Sequence, residues 1–310
     1  MKRTSMATAT DALIVRPASR ADAPAIAELL NLISRTLAGT LETSAEVAQW
    51  FELPRVEMVL AHTPDGMLVG YADMQSASDE NVKFALDLRV HPERPDAAGP
   101  ILSGLEAHAA AIAAPGASLR AYVPAANKAL AGALRGAGYE PIRHSFVMEI
   151  ELDEPPDAQF PAGFSLRAFR AGDEAAVHEA HMESFADHWG FEPEPYEEWA
   201  TANLDRDDFD PSLWLLAEVG GELAGIVLCR LADDASGPVG WVSTLGVRPG
   251  SRRAGLGGAL LRSAFRELHG RGRSRIGLGV DGENTTNAVQ LYERAGMRVV
   301  RQTIEYERRL

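Results

Sequence analysis

Residues 241–268 read WVSTLGVRPGSRRAGLGGALLRSAFREL. An apolar strand from Trp241 to Val247 stops at Pro249, and a loop rich in Arg and Gly follows, with Arg252, Arg253, Gly255, Gly257 and Gly258. The loop opens a helix whose apolar stripe is Leu256, Leu260, Leu261, Ala264, Phe265 and Leu268, the spacing of one buried helical face. The first amides of a helix have no internal partners, and the helix dipole favours negative charge there. Glycines let a phosphate approach the backbone with no Cβ in the way. Arg252 and Arg253 could add charge-assisted contacts to the same anion. Strand, loop and helix agree, so this pattern is read as an anion cradle rather than a flexible turn with solvated arginines.

Two familiar phosphate loops are excluded. A Walker loop requires Gly-Lys-Ser/Thr, which is missing from the chain. The dinucleotide pattern GxGxxG fails because Gly255 and Gly257 are followed by Leu260. Downstream, the strand IGLGV (276–280) leads into DGENTTNAVQLYERAGM (281–297).

The Arg252-x-x-Gly255-x-Gly257 loop after Leu245-Gly246-Val247 resembles the acetyl-CoA pyrophosphate loop of the GNAT superfamily of N-acetyltransferases. Asn284, Ala288, Tyr292 and Gly296 are similar to that superfamily's second signature. The resemblance implies a mixed α/β sheet that splays at Leu245–Val247, leaving backbone groups free for the pantetheine arm and the acetyl carbonyl. The Val247 amide would be an oxyanion donor, a contribution typically worth about 3 kcal/mol. Arg252, Arg253, Ala254, Gly255, Leu256, Gly257 and Gly258 would hold the pyrophosphate, and Asn284 would meet the cofactor where the strands diverge. Tyr292 would be the general acid: a phenol, near pKa 10, can protonate a departing thiolate whose thiol titrates near 8.5. A tyrosine merely packed on its helix is the alternative.

The segment HMESFADHWGFEPEPYEEW (181–199) falls where the family's first two helices cover the acceptor. Glu183, His188 and Trp189 are taken from it as acceptor-site candidates, with Asp281 and Glu283 as rival bases. Most such residues serve surface or packing roles. The implied activity is acetyl transfer from acetyl-CoA to a primary amine of a small molecule. A non-catalytic acyl-CoA-binding regulator is the alternative. No metal is expected, because the histidines are scattered without ligand spacing.

The chain also repeats itself. LIVRPASRADAPAIAELL (13–30) parallels FSLRAFRAGDEAAVHEAH (164–181), with Asp22 and Asp173 as candidate N-caps. VLAHTPDGMLVGY (59–71) parallels LLAEVGGELAGIV (215–227), each a hairpin pattern. LRVHPE (88–93) parallels LGVRPG (245–250), and GAGYEP (136–141) parallels RAGMRV (294–299). Four landmarks in one order imply two tandem GNAT-like domains, 11–152 and 164–310, joined by a proline-rich linker at 153–163. The alternating end RVVRQTIEYERRL (298–310) is expected to close the second sheet. The tandem arrangement resembles that of members of the superfamily such as the actinobacterial mycothiol synthases.

The first copy lacks the cradle. ERPDAAGPILSGLEAHA (93–109) offers Gly99 but places Pro95 and Pro100 where amides are needed, with Glu93 and Asp96 repelling phosphate. Leu134 stands where Tyr292 would be. This half is expected to be non-catalytic.

Composition bounds the rest. Of 310 residues 46% are hydrophobic and 24% charged, ordinary globular usage. The formal net charge of −14 argues against a nucleic-acid or anionic-membrane surface. No run approaches the ~18 apolar residues of a membrane helix, and MKRTSMATAT lacks the apolar core of a secretory signal. Cys229, the single cysteine, sits in an apolar run. The expectation is a cytoplasmic enzyme, monomer or homodimer.

Overall fold

The computed structural model describes residues 13–37, 41–76, 78–206, 208–234, 237–284 and 287–310. In chain order the first copy contains β1 (Ile14–Pro17), α1 (Ala23–Leu37), α2 (Ser44–Trp50), β2 (Val56–His62), β3 (Leu68–Ser76), β4 (Lys83–Val90), α3 (Ala98–Ile112), β5 (Ser118–Pro124), α4 (Lys128–Gly136) and β6 (Glu140–Glu151). The second contains β7 (Phe164–Ala168), α5 (Glu174–Phe185), α6 (Tyr196–Asn203), β8 (Trp214–Val219), β9 (Glu222–Asp234), β10 (Gly237–Val247), α7 (Leu256–Gly270), β11 (Arg275–Asp281), α8 (Ala288–Arg294) and β12 (Arg298–Arg309). The two copies follow the same order of strands and principal helices. The repeat reaches individual ion pairs: Arg16 holds Asp22 at 2.6 and 2.9 Å, and Arg167 holds Asp173 at 2.6 and 2.9 Å. Neither aspartate caps a long helix through its side chain as expected. Each carboxylate instead closes the strand-to-helix turn, accepting from Ser19 N–H or Arg170 N–H.

The chain forms two compact units, one reaching Arg143 and including Thr303–Leu310, the other spanning His144–Gln302. In the first unit the strand order is β1-β2-β3-β4-β5-β12, and in the second it is β7-β8-β9-β10-β11-β6. Within each unit a single pair is parallel, β4 with β5 and β10 with β11, while the others are antiparallel.

The last strand of each copy is exchanged. Thr303–Arg309 of β12 pairs with Pro124–Ser118 of β5, so the C-terminal strand completes the first sheet and not the second. Ser145–Glu151 of β6 pairs with Asp281–Arg275 of β11 and closes the second sheet. The reading of 298–310 as the second sheet's closing strand is thereby corrected, and the copy limits 11–152 and 164–310 do not coincide with the compact units. Alternation says that a segment is a strand but carries nothing about which edge it joins. Packing bears out the exchange: Tyr306 is buried in the core containing Phe84 and Leu119, and Met148 in the core containing Leu260 and Leu278. The segment 153–163 is not a bare linker, since Phe160 packs on the second core.

Candidate active site

In the second unit, β10 and β11 hold their parallel ladder only from Gly240–Val242 to Ile276–Leu278. Beyond that point β10 stays on β9 as far as Val247, while β11 stays on β6 as far as Asp281. A bulge between Val242 and Thr244 marks the divergence, the local kink that such an inserted residue produces. The last paired residue of β10 on this side is Val242, three residues before Leu245, so the splay begins earlier than the Leu245–Val247 expected. A cleft of about 710 Å³ occupies the opening, and Leu245, Gly246 and Val247 form part of its wall. Gly246 is required there, because a Cβ would stand 2.9 Å from the Ser184 Cβ on α5.

The Arg- and Gly-rich loop forms another wall. Pro249–Ser251 make one 3-10 turn, and Arg253 (φ 65°) and Gly255 (φ 85°) take left-handed conformations that steer the chain into α7. The first helical bond runs from Ala259 N–H to the Gly255 carbonyl at 3.3 Å. The amides of Leu256, Gly257 and Gly258 therefore precede any intrahelical partner, and all three residues line the cleft. Ala254 is exposed in the same loop and is not part of the lining.

The two arginines separate. Arg252 donates to Asp187 at 2.7 and 3.1 Å, to the Ser184 carbonyl at 3.0 Å and to the Val247 carbonyl at 3.2 Å. Its guanidinium braces the loop against the end of α5 and is not at liberty for an anion. It also holds the Asp187 carboxyl below its ordinary range. Arg253 is exposed on the lining and makes no polar side-chain contact among the described residues.

Across the cleft, α8 brings Tyr292 into the lining, 7% exposed, and burial pushes its phenol up to about 12. The side chain stays protonated through neutral pH and can act as a proton donor. Asn284 lies on the turn after β11, its N–H bonded to the Asp281 carbonyl at 3.2 Å. Its side-chain amide stands 3.4 Å from the His188 Nε2. Asn284, His188 and Tyr292, scattered over a hundred positions of sequence, share this one cleft.

Two acceptor-site candidates are placed elsewhere. Glu183 is committed to a bidentate pair with Arg248, 2.7 Å on each side, and Trp189 is 50% exposed; neither lines the cleft. Of the rival bases, Asp281 lines it, whereas Glu283 pairs with His144 at 2.8 Å. His181 accepts the Trp199 indole N–H at 2.9 Å, and burial lowers it to about 4, so it is neutral at pH 7. Sequence reasoning missed Ser184 as the residue packed on Gly246 and Asp187 as the Arg252 anchor. No local pattern links positions 62 and 65 apart in sequence.

Among the described residues no group of three or more His, Cys, Asp and Glu side chains could hold a metal, and no helix is long and apolar enough to cross a membrane. Burial raises the Cys229 thiol well above its ordinary range and leaves it unsuited to act as a thiolate nucleophile.

Comparison with known proteins gives the family and the fold. Residues 175–297 match the acetyltransferase (GNAT) family. The chain is 34% identical to a mycothiol acetyltransferase of Salinispora arenicola, over 79% of this chain and 79% of that one. A GCN5-related N-acetyltransferase from Sphaerobacter thermophilus superposes with a TM-score of 0.78 at 31% identity, covering 96% of this chain and 95% of that one. A tandem GNAT protein from the clavulanic acid biosynthesis pathway shares the fold, with a TM-score of 0.70 at 16% identity and coverage of 96% and 98%.

Proposed function

Because the chain belongs to the GNAT family of N-acetyltransferases, we propose that its second unit binds acetyl-CoA and transfers the acetyl group to a primary amine of a small molecule by direct attack. The observation that carries this reading is the set of three amides opening α7 that have no intrahelical partner, on the same cleft as a protonated, buried tyrosine. Those amides, the exposed Arg253 and the helix dipole suit a pyrophosphate. The opening between β10 and β11 suits an extended chain that hydrogen-bonds to free strand edges.

The chemistry follows from the lining. The amine nitrogen attacks the thioester carbonyl, and the charge developing on oxygen meets a backbone donor of the Leu245–Val247 run, placed before the reaction begins. As the tetrahedral species collapses the C–N bond remains and the C–S bond breaks. Tyr292 delivers its proton to the departing sulfur, and the proton that the nitrogen sheds as the amide forms restores the phenol. The ammonium proton must be lost before attack, and His188, beside Asn284, is the imidazole available on the lining. Relatives named mycothiol acetyltransferase favour a small-molecule acceptor.

The first unit is proposed to be inactive. Its one loop arginine, Arg94, is closed onto Asp96 by two bonds of 2.9 Å, and the Ala97 N–H is spent on the Arg94 carbonyl. Leu134 is wholly buried in the core.

The test is acetyl-CoA-dependent thiol release over a panel of amines, alongside calorimetry with acetyl-CoA. Tyr292→Phe should lower turnover about 10²–10⁴-fold with acetyl-CoA affinity retained. An unchanged rate removes Tyr292 from the mechanism, and absence of affinity in the wild-type chain overturns the reading.

A further inference from the structure

On the α6 side of the second unit lies a smaller cavity of about 130 Å³, lined in part by Asn203, Arg206, Asp208, Trp214, Arg230 and Ser243. Ser243 also lines the large cleft. It is the extra residue of the β10 bulge, since Val242 pairs with Cys229 and Thr244 with Leu228. Being exposed and outside the ladder, it is a wall common to both cavities, at the point where β10 parts from β11.

The described lining of the small cavity carries two arginines and one aspartate. Arg206 holds Asp208 through two bonds of 2.7 and 2.9 Å, and this pairing keeps the carboxyl below its ordinary range. Arg230 reaches the same carboxylate only at 3.4 Å. Among the described lining residues two guanidiniums thus face one carboxylate, in a chain whose formal net charge is −14. Most of the Arg230 fork has no recorded protein partner among the described residues. A planar fork of N–H donors matches a carboxylate in bidentate geometry. Arg230 is directly opposite Trp241 in the β9–β10 ladder, and Ser243 is two residues further along. With strands about 4.8 Å apart and a rise of about 3.3 Å per residue, their Cα atoms stand about 8 Å apart, within reach of an arginine side chain. Trp214 supplies an apolar wall against which the stem of a short molecule can lie.

We infer that this cavity receives a carboxylate carried by the amine acceptor, bound by Arg230, so that the amine is presented beside Ser243 at the head of the cleft. The inference rests on the acetyl-transfer reading and narrows its acceptor to amines bearing an anionic group a few bonds away. Arg230 is accordingly a specificity residue and not a catalytic one.

The experiment uses the full chain with α-, β- and γ-amino acids, each paired with its carboxamide. For at least one pair, kcat/KM should favour the acid by about 10-fold or more, the scale of one charge-assisted pair. Arg230→Met should bring the ratio to about one by raising KM for the acid, and Arg230→Lys should restore part of it. Calorimetry should give both variants the wild-type affinity for acetyl-CoA. Equal treatment of acid and amide in every pair overturns the inference, inactivity towards both included, as does a preference that survives Arg230→Met. Wild-type protein that fails to bind acetyl-CoA, detected before any amine is added, overturns the acetyl-transfer reading instead.

Discussion

The guanidinium of Arg252 is held by Asp187 and two carbonyls, while that of Arg253, next along the chain, stands exposed on a left-handed backbone. Arg253→Ala should therefore weaken acetyl-CoA binding about 10-fold, the worth of a charge-assisted contact, with an unchanged melting temperature. Arg252→Ala should lower the melting temperature by a few degrees, because it releases the loop from α5. Calorimetry and thermal unfolding of the two variants check this, and an affinity loss confined to Arg252→Ala would reverse the roles. In the first unit, burial and the facing Asp87 push the Asp73 carboxyl up to about 7, while Tyr71 O–H donates to it at 2.8 Å. An unfolded aspartate titrates near 3.9, so the folded chain holds the extra proton between about pH 4 and 7. Stability from this group is present below pH 4 and declines as pH rises through 7. Asp73→Asn, which keeps a partner for Tyr71, should flatten that decline when unfolding midpoints at pH 5 and 8 are compared.

At the scale of elements, the exchange of β6 and β12 changes what a lesion in the C-terminal strand does. Tyr306, wholly buried and bonded through its hydroxyl to Arg135 at 3.2 Å, belongs to the first unit's core. Tyr306→Ala should cost about 3–5 kcal/mol, the usual range for truncating a buried aromatic. The loss should fall on the first unit, where Trp50, the one tryptophan outside the second unit, reports unfolding through its fluorescence. Acetyl-CoA affinity should be retained; coincident loss of both would place β12 with the cradle. The exchange could not be read from sequence, since SFVMEIEL (145–152) and RVVRQTIEYERRL (298–310) both alternate and either fits either sheet edge. The elements themselves were legible: the helix opened by Gly255, the hairpins at Asp65-Gly66 and Gly220-Gly221, and the strands before each proline all occur.

Across the whole molecule, one fold is present twice, and one anion cradle is proposed to work, that of the second unit. Calorimetry should show a single acetyl-CoA bound per chain at saturation, and two equivalent tight sites would contradict the proposed division of labour. The first unit's corresponding cavity is about 330 Å³ against 710 Å³, with Pro92, the counterpart of Pro249, and Pro95 in its wall; Pro100 falls where Gly257 presents an amide in the second unit. Sequence alone determined the duplication, the Gly-rich turn into α7 that is proposed as the one cradle, and the spacing of the signature that includes Asn284 and Tyr292, because each rests on local spacing and on which residues can present a backbone amide. Tertiary structure decided which strand completes which sheet, which of two neighbouring arginines is tied down, and that Glu183 pairs with Arg248 instead of lining the cleft. Those outcomes depend on groups far apart along the chain meeting in space, where geometry selects one partner from several chemically equivalent ones.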